Sequence, residues 1–435
     1  MRGRSALFVN GFVACIMETF QRLESEVRSY CRSFPVLFSG AKGSFLYDAE
    51  GNRYLDFLSG AGTLNYGHNN PAIKQAVIEY LQGDNILHSL DLSTVAKKRF
   101  LERFGKVILE PRGMDYKVQF TGPTGANAVE AALKLARLVK KRSNVIAFTN
   151  GYHGLSSGAL SVTGNSFYRN EAFVHRHNVS FLPFDGYFGG ETDTVAYLRR
   201  LLNDTGSGVD LPAAVIFETI QAEGGVNVAS LSWLRDMAAL CKEFDILLIV
   251  DDIQVGNGRA GSFFSFEEAG IAPDMIILSK SIGGIGLPLA LVLMKPEHDV
   301  WKPGEHTGTF RGNNLAFVAA AEALSYWETD ALARDVKSKG LLLRNRLEEL
   351  RARNDRLLTG VRGKGLIWGL EFAMPEACKA VANEAFARKL VIERCGPKGN
   401  VLKFLPPLVI EEVDLMHGAD VVAASIEAVA AKGHP

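Results

Sequence analysis

The sequence has little that would support a metal-dependent, secreted, membrane-bound or nucleic-acid-binding protein. It has only five cysteines, an odd number, and their scatter matches no metal-ligand spacing. No apolar run is long enough to span a bilayer. The 48 basic residues balance 48 acidic ones, which argues against a nucleic-acid binder. We therefore expect a cytoplasmic protein with reduced thiols, no metal site, no membrane contact and no nucleic-acid partner.

The first residues of the chain weakly resemble a signal peptide. Residues 1–16 contain two arginines followed by an apolar patch, but they lack a small-residue cleavage site. We expect this segment to be an over-called or disordered start upstream of Met17 rather than a secretion signal.

The rest of the chain has the periodicity of an α/β protein. Between about residues 85 and 320, apolar runs of strand length alternate with helical spacing, which predicts a mainly parallel, doubly wound sheet. The predicted strands are residues 118–120, 145–148, 214–217, 246–250, 275–278 and 289–294. The 43 glycines suit an enzyme whose loops approach a ligand closely.

Both flanks of this region predict a second, smaller α+β domain. The N-terminal flank predicts a hairpin at 47–56 and a helix at 71–82. The C-terminal flank predicts a helix at 332–353, alternating segments, and a closing helix from Glu411; the alternating segments are residues 365–372 and 401–404. The length suits two unequal domains. We divide the chain into an N-terminal segment of the small domain (17–79), a large domain (80–326) and a C-terminal small domain (327–435).

Two of the predicted strands end in residues that suit catalysis. Residues 246–250 run into Asp251, and residues 275–278 run into Ser279 and Lys280 before a glycine-rich turn. Ligands of parallel sheets collect at the carboxyl ends of the strands. An acid and a lysine at that edge suit pyridoxal phosphate (PLP), which has a basic ring nitrogen and an aldehyde. A lysine after a strand is also a common solvated loop residue, so further motifs are needed.

Four further motifs lie at predicted strand ends or helix starts. The turn at 124–127 opens a helix and could seat a phosphate, although it also fits an ordinary helix cap. The turn at 151–154 contains Tyr152, which could stack on a pyridine ring or simply pack on its neighbours. Glu218 and Glu223 leave a strand in a glycine-containing loop, where surface acids are also common. The polar segment 306–314 has hydroxyls, amides and an arginine that suit an anion.

Taken together, these motifs resemble the class III (fold-type I) PLP-dependent aminotransferases over nearly the whole chain. The matching segments, in order, are TGANAVEAALKLAR (124–137), GYHG (151–154), ETIQAEGG (218–225), IVDDIQVGNGRAG (249–261), LSKSIGG (278–284) and GTFRGNN (308–314). The resemblance implies a fold-type I large domain, PLP as cofactor, and an amino donor and a keto-acid or semialdehyde acceptor as substrates.

The resemblance also implies roles for individual residues. Lys280 matches the lysine that bonds to the cofactor and shuttles a proton, and Asp251 matches the acid that pairs with the ring nitrogen. The remaining implied cofactor contacts are Gly125 and Ala126 in the phosphate turn, Tyr152 as the stacking aromatic, His153, Glu218, Gln254 at the phenolic oxygen, and Thr309. In the family this threonine reaches the phosphate of the neighbouring subunit, so a homodimer with shared active sites, or a tetramer of such dimers, is expected.

Departures from the family pattern concern mainly substrate anchoring. Leu155 stands where many relatives have an arginine, and Lys403 stands where ornithine-type relatives pair an arginine with the glutamate matching Glu223. Lysine is a point charge, so a bidentate clamp on Glu223 is not expected. Asp252 replaces the usual glutamate. We expect substrate contacts from Glu223, Lys403 and Arg311.

Three segments narrow the resemblance to diaminobutyrate–2-oxoglutarate aminotransferases of the ectoine-synthesis type. These segments are residues 22–35, 55–71 and 300–314. The expected reaction exchanges an amino group between L-glutamate and L-aspartate 4-semialdehyde, giving 2-oxoglutarate and L-2,4-diaminobutyrate. Two alternatives stay open within the family: diaminobutyrate made for a siderophore or peptide antibiotic, or another ω-amine donor (ornithine, 4-aminobutyrate or acetylornithine). A third is a PLP-binding regulatory dimer without turnover.

Overall fold

A seven-stranded sheet forms the centre of the protein. The computed structural model describes residues 18–173, 178–190 and 192–432, so the start predicted at residues 1–16 lies outside the described residues. The strands of the central sheet are, in spatial order, Lys117–Phe120, Leu291–Met294, Met275–Leu278, Leu247–Asp251, Ala214–Phe217, Val145–Phe148 and Val179–Leu182. Only Leu291–Met294 runs antiparallel to the others. The predicted α/β fold class with a mainly parallel sheet is confirmed.

The inner strands of this sheet are apolar throughout because their two faces enter two separate cores. In the strand Leu247–Asp251, Leu248 and Val250 pack into one core, and Leu247 and Ile249 pack into the other. Helices cover both faces, as a parallel sheet requires. Strand direction then brings the carboxyl ends of neighbouring strands to one edge.

Three smaller sheets complete the strand structure. The first joins distant parts of the chain and consists of Phe38–Lys42, Phe45–Asp48, Arg53–Asp56 and Leu390–Val391. The second is formed by the C-terminal strands Leu358–Lys364, Ile367–Phe372, Val401–Phe404 and Glu393–Cys395, in that spatial order. The third is the two-stranded ladder Ile220–Gln221 with Asn227–Val228. The hairpin predicted at 47–56 is confirmed by the antiparallel pairing of Phe45–Asp48 with Arg53–Asp56.

Most predicted helices are found within one residue of their expected bounds. Residues 18–23 are helical, and the α-helices that follow are Tyr30–Ser33, Ser59–Gly62, Pro71–Gln82, Val95–Phe104, Gly125–Lys140, Ser157–Ser161, Thr194–Asn203, Leu231–Glu243, Asn314–Ala323, Ala331–Arg353, Pro375–Ala387 and Glu412–Ala431. Within the described ranges no helix has the length and apolar character needed to cross a bilayer, and no three His, Cys, Asp or Glu side chains are grouped to hold a metal ion.

Some boundaries differ from the sequence-based expectation. The strand expected at 289–294 begins at Leu291, and the strand expected at 365–372 begins at Ile367 because Gly365 and Leu366 form a turn. The strand Leu358–Lys364 before that turn was not predicted. The domain boundaries at residues 79 and 326 stay predictions.

Candidate active site

Asp251 and Lys280 lie at the same edge of the central sheet. Asp251 ends the strand Leu247–Asp251, and Lys280 lies two residues after the end of the adjacent parallel strand Met275–Leu278. Both line a cavity of about 310 Å³. The other predicted site residues that line the cavity are Gly125, Ala126, Tyr152, His153, Glu218, Glu223 and Gln254. The structure therefore brings nine of the twelve predicted site residues together.

The carboxylate of Asp251 is held from two sides. His153 donates from Nδ1 to Asp251 Oδ2 at 2.7 Å, and the backbone N–H of Ile253 donates to Oδ1 at 3.2 Å. Burial lowers the pKa of His153, but the hydrogen bond to Asp251 and the charge of Asp251 outweigh the effect of burial, and the pKa is raised. These two donors fix the orientation of the carboxylate. Asp251 is therefore suited to pair with a cationic ring nitrogen.

Lys280 occupies a strained backbone conformation in a buried position. Its φ of 54° lies in the left-handed region, which is unfavourable for residues other than glycine. Such backbone strain is concentrated at functional sites. Burial lowers the pKa of Lys280; the charge of Glu223 opposes this effect and the charge of Lys403 adds to it. A lowered pKa increases the fraction of neutral amine, which is the nucleophilic form.

The start of the helix Gly125–Lys140 forms one wall of the cavity. The Thr124 side chain accepts a hydrogen bond from the backbone N–H of Asn127 and caps the helix. A Cβ on Gly125 would lie 2.8 Å from Ile253 Cδ1, so a side chain there would displace the neighbour. The free N–H groups and the positive end of the helix dipole make this turn suitable for a phosphate.

Tyr152 and Glu218, which both line the cavity, are linked by a hydrogen bond. The backbone N–H of Tyr152 donates to Glu218 Oε2 at 2.9 Å, and the Tyr152 ring packs edge-on against Tyr168 with ring centroids 5.5 Å apart. Burial raises the pKa of Glu218 to about 8. Glu218 is therefore mostly protonated near pH 7, and its predicted cofactor contact stays a prediction.

A buried cluster of ionic groups lies at the Glu223 side of the cavity. Lys403 Nζ lies 2.6 Å from Glu223 Oε1 and 3.0 Å from Glu393 Oε1, and its side chain is fully buried. Gln254 donates from Nε2 to the carbonyl oxygen of Ala61 at 2.9 Å and to Glu223 Oε1 at 3.3 Å. Glu393 was not predicted from the sequence, because a single acid on a short strand gives no signal of its partner.

Thr309 and Arg311 are not among the residues that line this cavity. His88 Nε2 lies 2.8 Å from the carbonyl oxygen of Thr309, and Arg311 forms an ion pair with Asp91. Arg311 lines a separate cavity of about 400 Å³. Within one chain, therefore, neither residue joins the nine that the cavity brings together. Their cofactor and substrate contacts stay predictions.

Comparisons with known proteins identify the family of this chain. The family model for class III aminotransferases matches residues 28–426. A diaminobutyrate–2-oxoglutarate transaminase from Wolinella succinogenes is 63% identical over 410 residues, which cover 94% of this chain and 96% of the relative. The relative of the same name from Oceanobacillus iheyensis is 52% identical over 412 residues, covering 95% and 96%.

Solved structures show the same fold. The ornithine aminotransferase from Toxoplasma gondii, described with partial occupancy of PLP at its active site, superposes with a TM-score of 0.84 at 26% identity, and the match covers 99% of each chain. A transaminase from a marine Virgibacillus gives a TM-score of 0.86 at 20% identity, covering 97% of this chain and all of the other. The chain belongs to the class III aminotransferases.

Proposed function

We propose that this aminotransferase uses PLP to exchange an amino group between L-glutamate and L-aspartate 4-semialdehyde, giving 2-oxoglutarate and L-2,4-diaminobutyrate. The observation that carries the PLP assignment is the placement of Lys280 and Asp251 on adjacent strand ends in one cavity. The names of relatives at 52–63% identity support the choice of substrates.

The residues that line the cavity suit the chemical groups of PLP. The phosphate suits the helix start at Gly125 and Ala126, the ring nitrogen suits Asp251, and the aldehyde suits the amine of Lys280. When bound, PLP supplies an electron sink that acidifies the C–H bond next to the reacting amine. Tyr152 and Gln254 are proposed as the ring-stacking and phenolic-oxygen contacts.

The chain's own groups then have separate tasks. Asp251, held by His153, keeps a positive charge on the ring by a charge-assisted hydrogen bond. The neutral amine of Lys280 accepts the proton from the substrate carbon as a general base. It then donates this proton to the cofactor carbon as a general acid. Because one site serves both substrates in turn, ping-pong kinetics are expected.

We also propose a homodimer with Thr309 at the interface. Thr309 lies beside an exposed apolar surface, which we call the Thr309 surface. It consists of Ile86, Leu87, Leu90, Leu92, Val95 and Phe310, and Val95 and Phe310 are 85% and 66% exposed. Contiguous exposed apolar residues are typical of a protein interface. The closer resemblance extends the proposal to diaminobutyrate supply for ectoine synthesis in the cytoplasm.

The test is a transamination assay on purified protein loaded with PLP. It offers 2-oxoglutarate with L-2,4-diaminobutyrate, ornithine, 4-aminobutyrate or acetylornithine and measures the glutamate formed. Preference for diaminobutyrate supports the proposal, and preference for another amine would refute the substrate assignment. Glutamate from none of the donors, with PLP bound, would instead favour the regulatory dimer without turnover.

The matched variants are Lys280→Ala and Lys379→Ala. Lys280→Ala should lower turnover at least about 1000-fold, because Lys280 is the one lysine among the described residues that line the cavity and it is proposed both to attach to PLP and to transfer the proton. Lys379 is exposed on the helix Pro375–Ala387 and should be neutral. Substantial activity of Lys280→Ala would remove this lysine from the mechanism.

A further inference from the structure

Glu393 and Lys403 form a buried pair that the strand register builds. They lie directly opposite each other on the antiparallel strands Glu393–Cys395 and Val401–Phe404. Residues directly opposite each other on neighbouring strands project to the same face of the sheet, so the strand register places the two side chains side by side. The Tyr30 hydroxyl donates to Glu393 Oε2 at 3.2 Å. Burial raises the pKa of Glu393, while Lys403 opposes that rise.

The Lys403 ammonium group is surrounded by three oxygen atoms of the protein. It donates hydrogen bonds to Glu223 Oε1 at 2.6 Å and Gln254 Oε1 at 3.4 Å, and it forms an ion pair with Glu393 Oε1 at 3.0 Å. The Lys403 side chain has no exposed surface. Lys403 therefore does not offer a free charge to a substrate carboxylate. Instead, one ammonium group is shared by two carboxylates.

Of the three groups, Glu223 is the one that reaches the cavity. Its side chain is 25% exposed and lines the cavity, whereas Glu393 does not line it. Among the described residues, the hydrogen bonds of the Glu223 carboxylate are made by Oε1, which leaves Oε2 for a ligand. Burial raises the pKa of Glu223, but the charges of Lys403 and Lys280 outweigh this effect and the pKa is lowered. The carboxyl group of Glu223 is therefore ionised at neutral pH.

The other two carboxyl groups of the cavity are less suited to bind a substrate ammonium group. Asp251 is assigned to the ring nitrogen of PLP, and Glu218 has a pKa of about 8. Glu223 and Lys280 line the same cavity, and the charge of Glu223 raises the pKa of Lys280 against the effect of burial. The cavity thus has an amine at the reacting position and an anionic group on its wall.

We propose that Glu223 binds the amino group of the diamino acid that is not transferred. Glu393 is a positioning residue: because it shares Lys403 with Glu223, Lys403 does not neutralise Glu223 alone and the cluster keeps a net negative charge. For 2,4-diaminobutyrate with its 4-amine at Lys280, the bound group is the 2-ammonium. This inference rests on the proposed function. It assigns Lys403 an indirect role, through Glu223, in place of the direct substrate contact predicted from the sequence.

The test compares two donors that differ by one ammonium group. L-2,4-diaminobutyrate has the second ammonium, and 4-aminobutyrate has the same carbon chain and carboxylate without it. The measured quantity is the ratio of their kcat/KM values with 2-oxoglutarate, for Glu223→Gln, Glu393→Gln and the surface control Glu349→Gln. Glu349 is on the helix Ala331–Arg353, and its side chain is 56% exposed.

Glu223→Gln should lower the ratio about 10- to 100-fold, the worth of a hydrogen bond between charged groups. Glu393→Gln should lower it about 3- to 10-fold through KM for diaminobutyrate, because Lys403 then neutralises Glu223 alone. The control should leave the ratio unchanged. PLP absorbance checks that each variant retains an intact site.

Outcomes for the two proposals are separable. If the wild type prefers diaminobutyrate but both variants lose activity equally on the two donors, the role of Glu223 is refuted and the proposed function stands. A wild type that does not use diaminobutyrate overturns both.

Discussion

Replacement of Lys403 by methionine should destabilise the protein severely and in a pH-dependent manner. The change removes the ammonium group and leaves Glu223 and Glu393 facing each other in a buried site. Removing one partner of a buried ion pair costs about 3–5 kcal/mol, because the remaining charge is uncompensated. For a cooperative unit of 150–250 residues this corresponds to a fall in melting temperature of about 6–20 °C.

The direction of the pH dependence follows from the ionised partners. In the wild type, burial lowers the pKa of Lys403, but Glu223 and Glu393 raise it well above its usual value; the pKa of Glu223 is lowered. The ion pair therefore stabilises the fold above the ordinary glutamate pKa and below the ordinary lysine pKa, from about pH 5 to 10. In the variant, two buried carboxyl groups without a cation have raised pKa values, so stability is lost as the pH rises.

The assay is thermal unfolding at pH 8 and pH 5.5, followed by circular dichroism at fixed protein and PLP concentrations. The difference between wild type and Lys403→Met should be larger at pH 8. Adding Glu223→Gln and Glu393→Gln to Lys403→Met should recover much of the loss, and Lys379→Met serves as the surface control. An equal loss at both pH values, or no recovery in the triple variant, would show that packing rather than charge accounts for the effect.

Two further predictions concern Asp251 and the Thr309 surface. Asp251→Asn should lower kcat by orders of magnitude, because the ring nitrogen loses its anionic partner, but some PLP should still bind because the phosphate turn remains. Stopped-flow kinetics measure the loss of rate, and PLP absorbance measures the bound cofactor. A kcat close to that of the wild type would contradict the proposed role of Asp251. Sedimentation equilibrium should give about twice the 47.4 kDa chain mass for a dimer, or four times that mass for paired dimers. The double variant Val95→Asp, Phe310→Asp should shift the protein toward monomer, because it places charge in the apolar interface. A monomeric wild type would exclude a shared active site.

Sequence periodicity was sufficient for the strands that carry Asp251 and Lys280. These strands are continuous apolar runs because both faces are buried, and such runs can be recognised without a structure. By contrast, Val179–Leu182 and Leu358–Lys364 were missed, since both contain partly exposed and polar residues. The antiparallel direction of Leu291–Met294 was not predicted either, because an apolar run carries no information about strand direction.

The candidate site divides in a similar way. The order of the motifs was enough to predict nine residues, from Gly125 to Lys280, that line one cavity. It could not reveal Glu393, whose importance comes from the strand register that places it opposite Lys403. Burial likewise sets the pKa of Glu218 and limits Lys403 to contacts within the protein, and burial is a property of the packed chain rather than of local sequence.

The short strand Leu390–Val391 has a consequence for how this protein is made. It pairs in parallel with Arg53–Asp56, and Lys389 Nζ reaches the Tyr54 hydroxyl across a separation of 335 residues. At translation rates of about 5–20 residues per second, the N-terminal strands wait roughly 20–70 s for this neighbour. During that time one edge of Arg53–Asp56, which carries Tyr54 and Leu55, stays open to other chains. Nascent chains stalled before residue 390 should therefore aggregate or depend on chaperones.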